Sequence, residues 1–248
     1  MEKKIIGIIP ARGGSKSLPR KNLQSLMGIP LIAFTIQSAL ESTKIDEVYV
    51  SSDNPEILEV SKRYGAKIIE RPSQISGDFS RDDELLEHAI KTEFKNLSNE
   101  SLLVFLRPSH PIRNPETIDK AISIFQSSDQ FDSLRSMKIS SEIPYKMWRI
   151  DDNGVALNVT DNEAISTIDP CNAPRQQLPV TYYQDGYVDV FPINTISNFG
   201  NTAGARVLPF VVDEFSHDID TFNDLEIINN KIETEPLPDW FNLPTIKT

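Results

Sequence analysis

Four cations crowd a short stretch near the amino terminus, Arg12, Lys16, Arg20 and Lys21, with Gly13 and Gly14 set between the first two. Glycine lets backbone N–H groups approach a polyphosphate closely, and Arg12 and Lys21 can neutralise its charge. The stretch therefore suits a triphosphate cradle, although an ordinary solvated basic loop has the same composition. Gly13-Gly14-Ser15-Lys16-Ser17 looks like the end of a Walker A motif, but Pro10 and Ser15 stand where that motif needs glycine, and no G-x-G-x-x-G occurs. A second cluster lies near the other end, Ser216-His217-Asp218-Ile219-Asp220-Thr221. If this segment is extended, Asp218 and Asp220 share a face while Ile219 points into the core. Two such carboxylates repel unless a cation lies between them, and magnesium shared with triphosphate oxygens would serve. The local alternative is that Asp220 or Thr221 caps a helix carrying Phe222, Leu225 and Ile228, with Thr221 and Asp224 forming a capping box.

The elements that must position these groups can be read in order. Ile5 to Pro10 has the length and β-branching of a buried strand that ends at the basic loop. A helix with Ile32, Ile36, Ala39 and Leu40 on one face follows Pro30, and Val48 to Val50 makes a second strand ending at Asp53. Asn54-Pro55 starts a helix that Gly65 closes, and Lys67 to Glu70 is a third strand. Arg71-Pro72 leaves that strand directly. Arg71 is thus a candidate at the same edge as the basic loop, or a surface ion-pair partner. A helix from about Asp83 to Phe94 precedes the most apolar strand, Leu102 to Leu106, which runs into Arg107-Pro108-Ser109-His110. Asn114-Pro115 marks another helix start, with Ile118, Ala121, Ile122 and Phe125 on one face. Such alternation implies an α/β fold with a doubly wound, mostly parallel sheet, whose strand ends and ligand site share one edge. Ser133 to Met137 is a further strand candidate. Beyond it the alternation breaks over about residues 139–180, where prolines and the turn Asp151-Asp152-Asn153-Gly154 suggest an inserted arm. Thr181 to Ile193 reads as strand again, and the tail after Glu233 is rich in proline.

The run Pro10-Ala11-Arg12-Gly13-Gly14-Ser15-Lys16-Ser17-Leu18-Pro19-Arg20-Lys21-Asn22 resembles the signature of the CMP-sugar-acid synthetases, the acylneuraminate cytidylyltransferases. Four more segments follow in matching order: Arg71-Pro72 with Gly77-Asp78-Phe79-Ser80, Leu106-Arg107-Pro108 through Arg113, Pro174-Arg175-Gln176-Gln177-Leu178-Pro179, and Asp218-Ile219-Asp220-Thr221. The resemblance implies a Rossmann-like nucleotidyltransferase fold spanning 1–248, with the arm at 139–180 building a homodimer and closing on the neighbouring active site. It implies that CMP passes from CTP to the anomeric hydroxyl of a nonulosonic acid of sialic or legionaminic type, releasing pyrophosphate. By the same resemblance Ala11, Arg12, Gly13, Gly14, Ser15, Lys16, Lys21, Asn22, Arg71, Ser80 and Arg107 bind nucleotide. Asp218 and Asp220 hold Mg2+, and these two with Arg12, Lys21 and Arg175 form the catalytic set. Arg175, Gln176 and Asp185 bind the sugar acid, Arg175 as a carboxylate or phosphate clamp through its planar guanidinium, and Lys146 is either a further sugar contact or an exposed arm residue. Two positions depart from the family. Arg107 stands where glutamine is common, and arginine can only donate where glutamine both donates and accepts. Asp82 stands where a small hydroxyl residue is common.

Composition bounds the rest. The 248 residues carry a net charge of −11, which argues against a nucleic-acid or anionic-membrane partner. Cys171 is the one cysteine, so neither an intrachain disulfide nor a cysteine zinc cluster can form, and it reads as a passive thiol. No signal core or long apolar run is visible, and the expected location is the cytoplasm. His110 and His217 read as structural residues. A nucleotidyltransferase for another substrate, such as an octulosonic acid or a sugar phosphate, and a non-catalytic nucleotide-sugar binding subunit are the competing functions. The second is disfavoured because a binder needs no metal at the leaving phosphate.

Overall fold

The computed structural model describes residues 1–160, 170–215, 217–235 and 238–247. Ser216, part of the expected arm and part of the proline-rich tail lie outside the described residues. The chain divides into two compact units, Met1–Ser136 with Gly186–Thr248, and Met137–Asp185.

The larger unit begins with strand β1 (Ile5–Pro10), a short hairpin of β2 (Ser25–Leu26) and β3 (Ile29–Pro30), and helix α1 (Leu31–Glu41). Strand β4 (Glu47–Ser52), helix α2 (Pro55–Arg63), strand β5 (Lys67–Glu70), helix α3 (Asp82–Thr92) and strand β6 (Leu102–Phe105) follow. Helix α4 (Pro115–Gln126) and strand β7 (Ser133–Ile139) come next. The smaller unit holds a hairpin of β8 (Trp148–Ile150) and β9 (Ala156–Asn158). Strand β10 (Tyr182–Pro192), helix α5 (Ile193–Phe199), strand β11 (Val207–Val211) and helix α6 (Phe222–Thr234) complete the described elements.

Seven strands form one sheet in the order β11-β7-β10-β6-β1-β4-β5. β1 pairs in parallel with β4 and β6, β4 with β5, and β10 runs antiparallel to β6. The sheet is thus mostly parallel and covered on both faces, as the strand–helix alternation implies. Side-chain alternation along each central strand explains the apolar runs. Ile9, Val48, Val50 and Val104 pack on one face with Ile32 and Ile36 of α1 and Ile118 and Ile122 of α4. Ile6, Ile8, Tyr49 and Phe105 pack on the other with Leu85 and Leu86 of α3 and Ile193 of α5. Both faces are buried, so both parities must be apolar. Asn54 accepts from the backbone N–H groups of Glu56 and Ile57, and Asn114 from that of Glu116, each with proline at the first helical position.

Because β6, β1, β4 and β5 are parallel, their carboxyl ends and the loops after them share one edge. The chain goes from β1 outward through β4 to β5 and then returns to the other side of β1 as β6. The crevice between the ends of β1 and β6 is therefore the switch point where open α/β sheets bind ligands. In the smaller unit the β8–β9 turn is held by Asp151, whose Oδ1 accepts from Asn153 N and Val155 N at 2.9 Å each. Among the described residues no helix is long and apolar enough to cross a membrane.

Candidate active site

The loops at the switch point enclose a cavity of about 410 Å3 within the larger unit. Arg12, Gly14, Ser15, Lys21 and Asn22 line it from the first loop, Arg71 and Ser80 from the loop after β5, and Arg107 from the loop after β6. Asp218 and Asp220 line it from the segment before α6. Ten residues singled out in the sequence thus surround one space. Ala11, Gly13 and Lys16 stand just behind or beside it. Ala11 is buried, with its N–H donating to Ser51 O at 2.9 Å. Gly13 donates its N–H to Asp53 Oδ1 at 2.8 Å and packs so tightly that a Cβ would stand 2.9 Å from that of Asn54. Gly14 has open space where its Cβ would be, and its backbone lines the cavity.

The basic loop and the acidic pair meet for a packing reason. Leu18 of the loop and Ile219 between the aspartates are both fully buried in a third apolar cluster with Leu31, Phe34, Ile112 and Ile228. Anchoring these two side chains brings their charged neighbours together, and Lys21 Nζ lies 2.8 Å from Asp220 Oδ1. The acidic segment is not a strand. Ile219 N donates to Ser109 O at 2.9 Å, and that bond together with the burial of Ile219 turns Asp218 and Asp220 toward the cavity. Helix capping is satisfied next door. Thr221 is the N-cap of α6, and Asp224 Oδ2 accepts from the N–H groups of Thr221 and Asp220. The two readings of the segment therefore coexist, with Thr221 capping and Asp220 left to face Lys21. His217 pairs with Asp224 at 3.3 Å, while His110 is buried with Nε2 3.9 Å from Asp218 Oδ1.

The remaining cations are each held. Arg12 Nη1 donates to Gly77 O at 2.9 Å and to Asp78 Oδ1 at 3.1 Å, and Lys16 pairs with Asp78 at 2.7 Å. The hydrogen bond from Lys16 keeps the Asp78 carboxyl below its usual pKa; desolvation opposes it, and the charges of Lys16 and Arg12 add to the lowering. Arg20 pairs with Glu56, so this fourth cation is turned to helix α2. Arg71 is no surface ion-pair partner. It is buried, Nη2 donates to Ser51 O at 2.6 Å, and Nε has no hydrogen-bond partner among the described residues. Burial lowers its guanidinium pKa, opposed by the nearby charges of Asp53 and Asp82. An unsatisfied buried donor beside a cavity is a place for a ligand acceptor.

Sequence reading alone assigned no role to Asp53 and Asp78, which hold Gly13 and Arg12. The available signal was an acidic residue directly following β4 and another in the loop after β5. It also left Asp82 without a partner, whereas Arg107 Nη2 lies 2.9 Å from Asp82 Oδ2.

Lys146, Arg175, Gln176 and Asp185 belong to the smaller unit. Lys146 ends a 3-10 turn, Pro144–Lys146, and is exposed. Arg175 and Gln176 lie on another, Arg175–Gln177, where Arg175 Nη2 donates to Ser141 O at 3.2 Å. Asp185 is buried.

The donor set at Asp218 and Asp220 is compatible with magnesium. Among the described residues no three His, Cys, Asp or Glu side chains gather into a metal-binding group. Two carboxylates at a cavity edge leave the other positions to water and phosphate oxygens, which is how Mg2+ is commonly held.

A family model for cytidylyltransferases matches residues 6–163. The chain is similar to the N-acylneuraminate cytidylyltransferase of Escherichia coli O18:K1:H7, 29% identical over 230 residues, covering 92% of this chain and 52% of the relative. It is also similar to the CMP-N,N'-diacetyllegionaminic acid synthase of Legionella pneumophila, 40% identical over 126 residues, covering 49% of this chain and 53% of the relative. The chain thus spans about half the length of the curated relatives it matches. In fold it resembles a CMP:2-keto-3-deoxy-manno-octonic acid synthetase solved with CTP, with TM-score 0.68, 18% identity and coverage of 93% of this chain and 99% of that one. With the family model spanning well over half of its length, this chain belongs to the cytidylyltransferase family.

Proposed function

We propose that this chain transfers CMP from CTP to the anomeric hydroxyl of a nonulosonic acid of sialic or legionaminic type, with release of pyrophosphate. The observation that carries the reading is the meeting of Lys21 and Asp220 across one cavity, from opposite ends of the chain. A phosphate cradle and an acidic pair at one site are what attack at an α-phosphorus requires, and a mere binder would need only the cradle.

The protein has little covalent chemistry to perform, so positioning and charge carry the rate. Arg12 and Lys21 stabilise the charge that builds on the leaving pyrophosphate. The backbone at Gly14 and Ser15 leaves room for the phosphates, and Arg71 offers its Nε to the nucleotide. Asp218 and Asp220 would hold Mg2+, which supplies charge neutralisation at the α-phosphate and acidifies a bound hydroxyl. Arg175 is the expected clamp for the sugar carboxylate, with Lys146, Gln176 and Asp185 as further sugar contacts. In the smaller unit Trp148, Ile150 and Val155 expose apolar surface, which supports a homodimer built through this unit. An enzyme drawing on CTP in this way would work in the cytoplasm. An octulosonic acid is kept as a second acceptor by one feature, the substitution of Arg107 at the cavity wall.

The test is pyrophosphate release from each of the four common nucleoside triphosphates with magnesium and a panel of sialic, legionaminic and octulosonic acids. Release is expected with CTP and a nonulosonic acid, and Asp218→Ala should lower it by roughly a hundredfold or more. CTP binding without release from any acid would overturn the catalytic reading. Release only with an octulosonic acid would replace the acceptor.

A further inference from the structure

Arg107 is held at the cavity wall from three sides. Its Nη2 lies 2.9 Å from Asp82 Oδ2, its guanidinium carbon stands 5.1 Å from the centre of the Phe105 ring, and its stem runs under Gly186. A Cβ at position 186 would stand 2.8 Å from Arg107 Cδ, so the backbone of β10 closes over the side chain only because residue 186 is glycine. The carbonyl of Arg107 is fixed in turn by Arg113 Nη2 at 2.9 Å. Asp82 is the first residue of α3, where the helix dipole favours a carboxylate. Both side chains line the cavity and are partly exposed to it, Arg107 at 33% and Asp82 at 38% of the side chain. Leu85 and Pro108 beside them offer apolar contact to a flat ring.

An arginine alone at this wall presents donors only, and no acceptor for an amino group. With Asp82 beside it the wall carries a donor and an acceptor side by side. That pattern is complementary to an amidine edge, in which an exocyclic N–H lies next to a ring nitrogen acceptor. We infer that Asp82 and Arg107 together read the base of the nucleotide, Asp82 accepting from the 4-amino group of cytosine and Arg107 donating to the adjacent ring acceptors. Asp82 is thus a specificity-determining residue. Uracil places a carbonyl where the amino group would be, and its lone pairs would face those of the carboxylate. The pair divides between two charged side chains the donating and accepting that one amide could do alone. Removing either partner leaves the other charge facing the base unbalanced, so the two substitutions should not be additive. This inference rests on the proposal that the cavity takes CTP.

The experiment is equilibrium binding, without turnover, of CTP, UTP and the triphosphate of the pyrimidinone riboside that lacks the 4-amino group. It would be run on the wild-type chain, Asp82→Ser, Asp82→Asn and Arg107→Gln/Asp82→Ser. Wild type should bind CTP roughly tenfold to a hundredfold more tightly than the analogue, as expected for a hydrogen bond to a charged acceptor. Asp82→Ser should bind the two about equally and lose most of its preference over UTP. The double variant should recover part of that preference through the glutamine amide. Equal weakening of all three ligands in both Asp82 variants, or an unchanged ratio, overturns the inference. So does a penalty in Asp82→Ser that disappears with 3′-deoxy-CTP or 2′-deoxy-CTP, since Asp82 would then serve the ribose. The comparison of CTP with the analogue on wild type needs no folded variant, and equal binding there is decisive against the inference. Failure of wild type to bind CTP at all would instead remove the proposed function, and this inference with it.

Discussion

At the scale of single residues, the charges around the cavity are already paired with one another. Asp78 holds both Arg12 and Lys16, and Asp220 holds Lys21. A triphosphate therefore has to exchange partners with carboxylates, and part of its attraction is offset by the pairs it breaks. The two carboxylates differ in what they do afterwards. Asp220 faces the cavity beside Asp218, whereas Asp78 stands in the turn that includes Gly77 and Ser80 and would compete with a bound triphosphate for the Arg12 guanidinium. Asp78→Asn should therefore tighten CTP binding, by about two- to fivefold in low salt, the size expected for an exposed pair. The gain should shrink toward nothing at high ionic strength, because exposed charges are screened there. Titration calorimetry at two salt concentrations checks both statements, and weaker binding of the variant at low salt would mean that Asp78 orders the loop rather than competing. Asp220→Asn frees Lys21 in the same way but removes one of the two carboxylates proposed to hold Mg2+, so it should lose turnover while keeping nucleotide affinity.

At the scale of elements, β10 shows how a strand can fix a side chain of a neighbouring loop. Gly186 has φ of +77° and leaves no room for a Cβ above Arg107. Gly186→Ala should lower stability by about 1–2 kcal/mol from the left-handed backbone alone. It should also weaken CTP binding by displacing Arg107. In an Arg107→Ala background the steric part disappears, so the glycine substitution should then cost only the backbone term, and thermal melts of the two backgrounds separate them. The elements themselves were largely legible in sequence. The strand Ile5 to Pro10 announces itself by a continuous apolar run, and the starts of α2, α4 and α6 by Asn54-Pro55, Asn114-Pro115 and the Thr221–Asp224 box, because each signal is local. What stayed hidden depends on chain segments far apart. Nothing near Leu18 indicates that it shares a core with Ile219, and nothing near Arg107 indicates that its carboxylate is Asp82. For the acidic segment the sequence leaves two readings open, extended backbone with both carboxylates on one face or helix capping, and the structure satisfies the shared face and the Thr221 cap together. The segment has no strand neighbour among the described residues, and one hydrogen bond to Ser109 with the burial of Ile219 turns its carboxylates toward the cavity.

At the scale of the whole molecule, the two edges of the parallel sheet have separate tasks. The carboxyl edge carries the cavity. The amino edge carries a charge cluster, in which Glu47 at the start of β4 pairs with Lys4 just before β1 at 2.7 Å and with Lys67 at the start of β5 at 2.8 Å, and accepts from the Tyr49 hydroxyl. These hydrogen bonds, that from Lys4 first, bring the Glu47 pKa down from 4.5 to about 2. A depressed carboxyl adds stability that is complete above its unfolded pKa and is lost as the pH falls toward its folded one, here between about 4.5 and 2. Asp119 acts in the same sense. Burial raises its pKa, but hydrogen bonds from Ser42, Thr43 and Lys44 outweigh that and hold it below the ordinary value. Acid should therefore unfold the sheet from this edge. Glu47→Gln should cost about 1–2 kcal/mol at neutral pH after allowance for partial solvent screening, or a few degrees in thermal midpoint. The difference from wild type should fade as the pH approaches 2. Because Glu47 lies at the amino end of its strand and the cavity at the carboxyl end, CTP affinity of the folded variant at neutral pH should be unchanged. A variant whose melting deficit persists undiminished at low pH would show that Glu47 acts through packing rather than charge, and one that loses CTP affinity would show that the two edges are coupled through the strands.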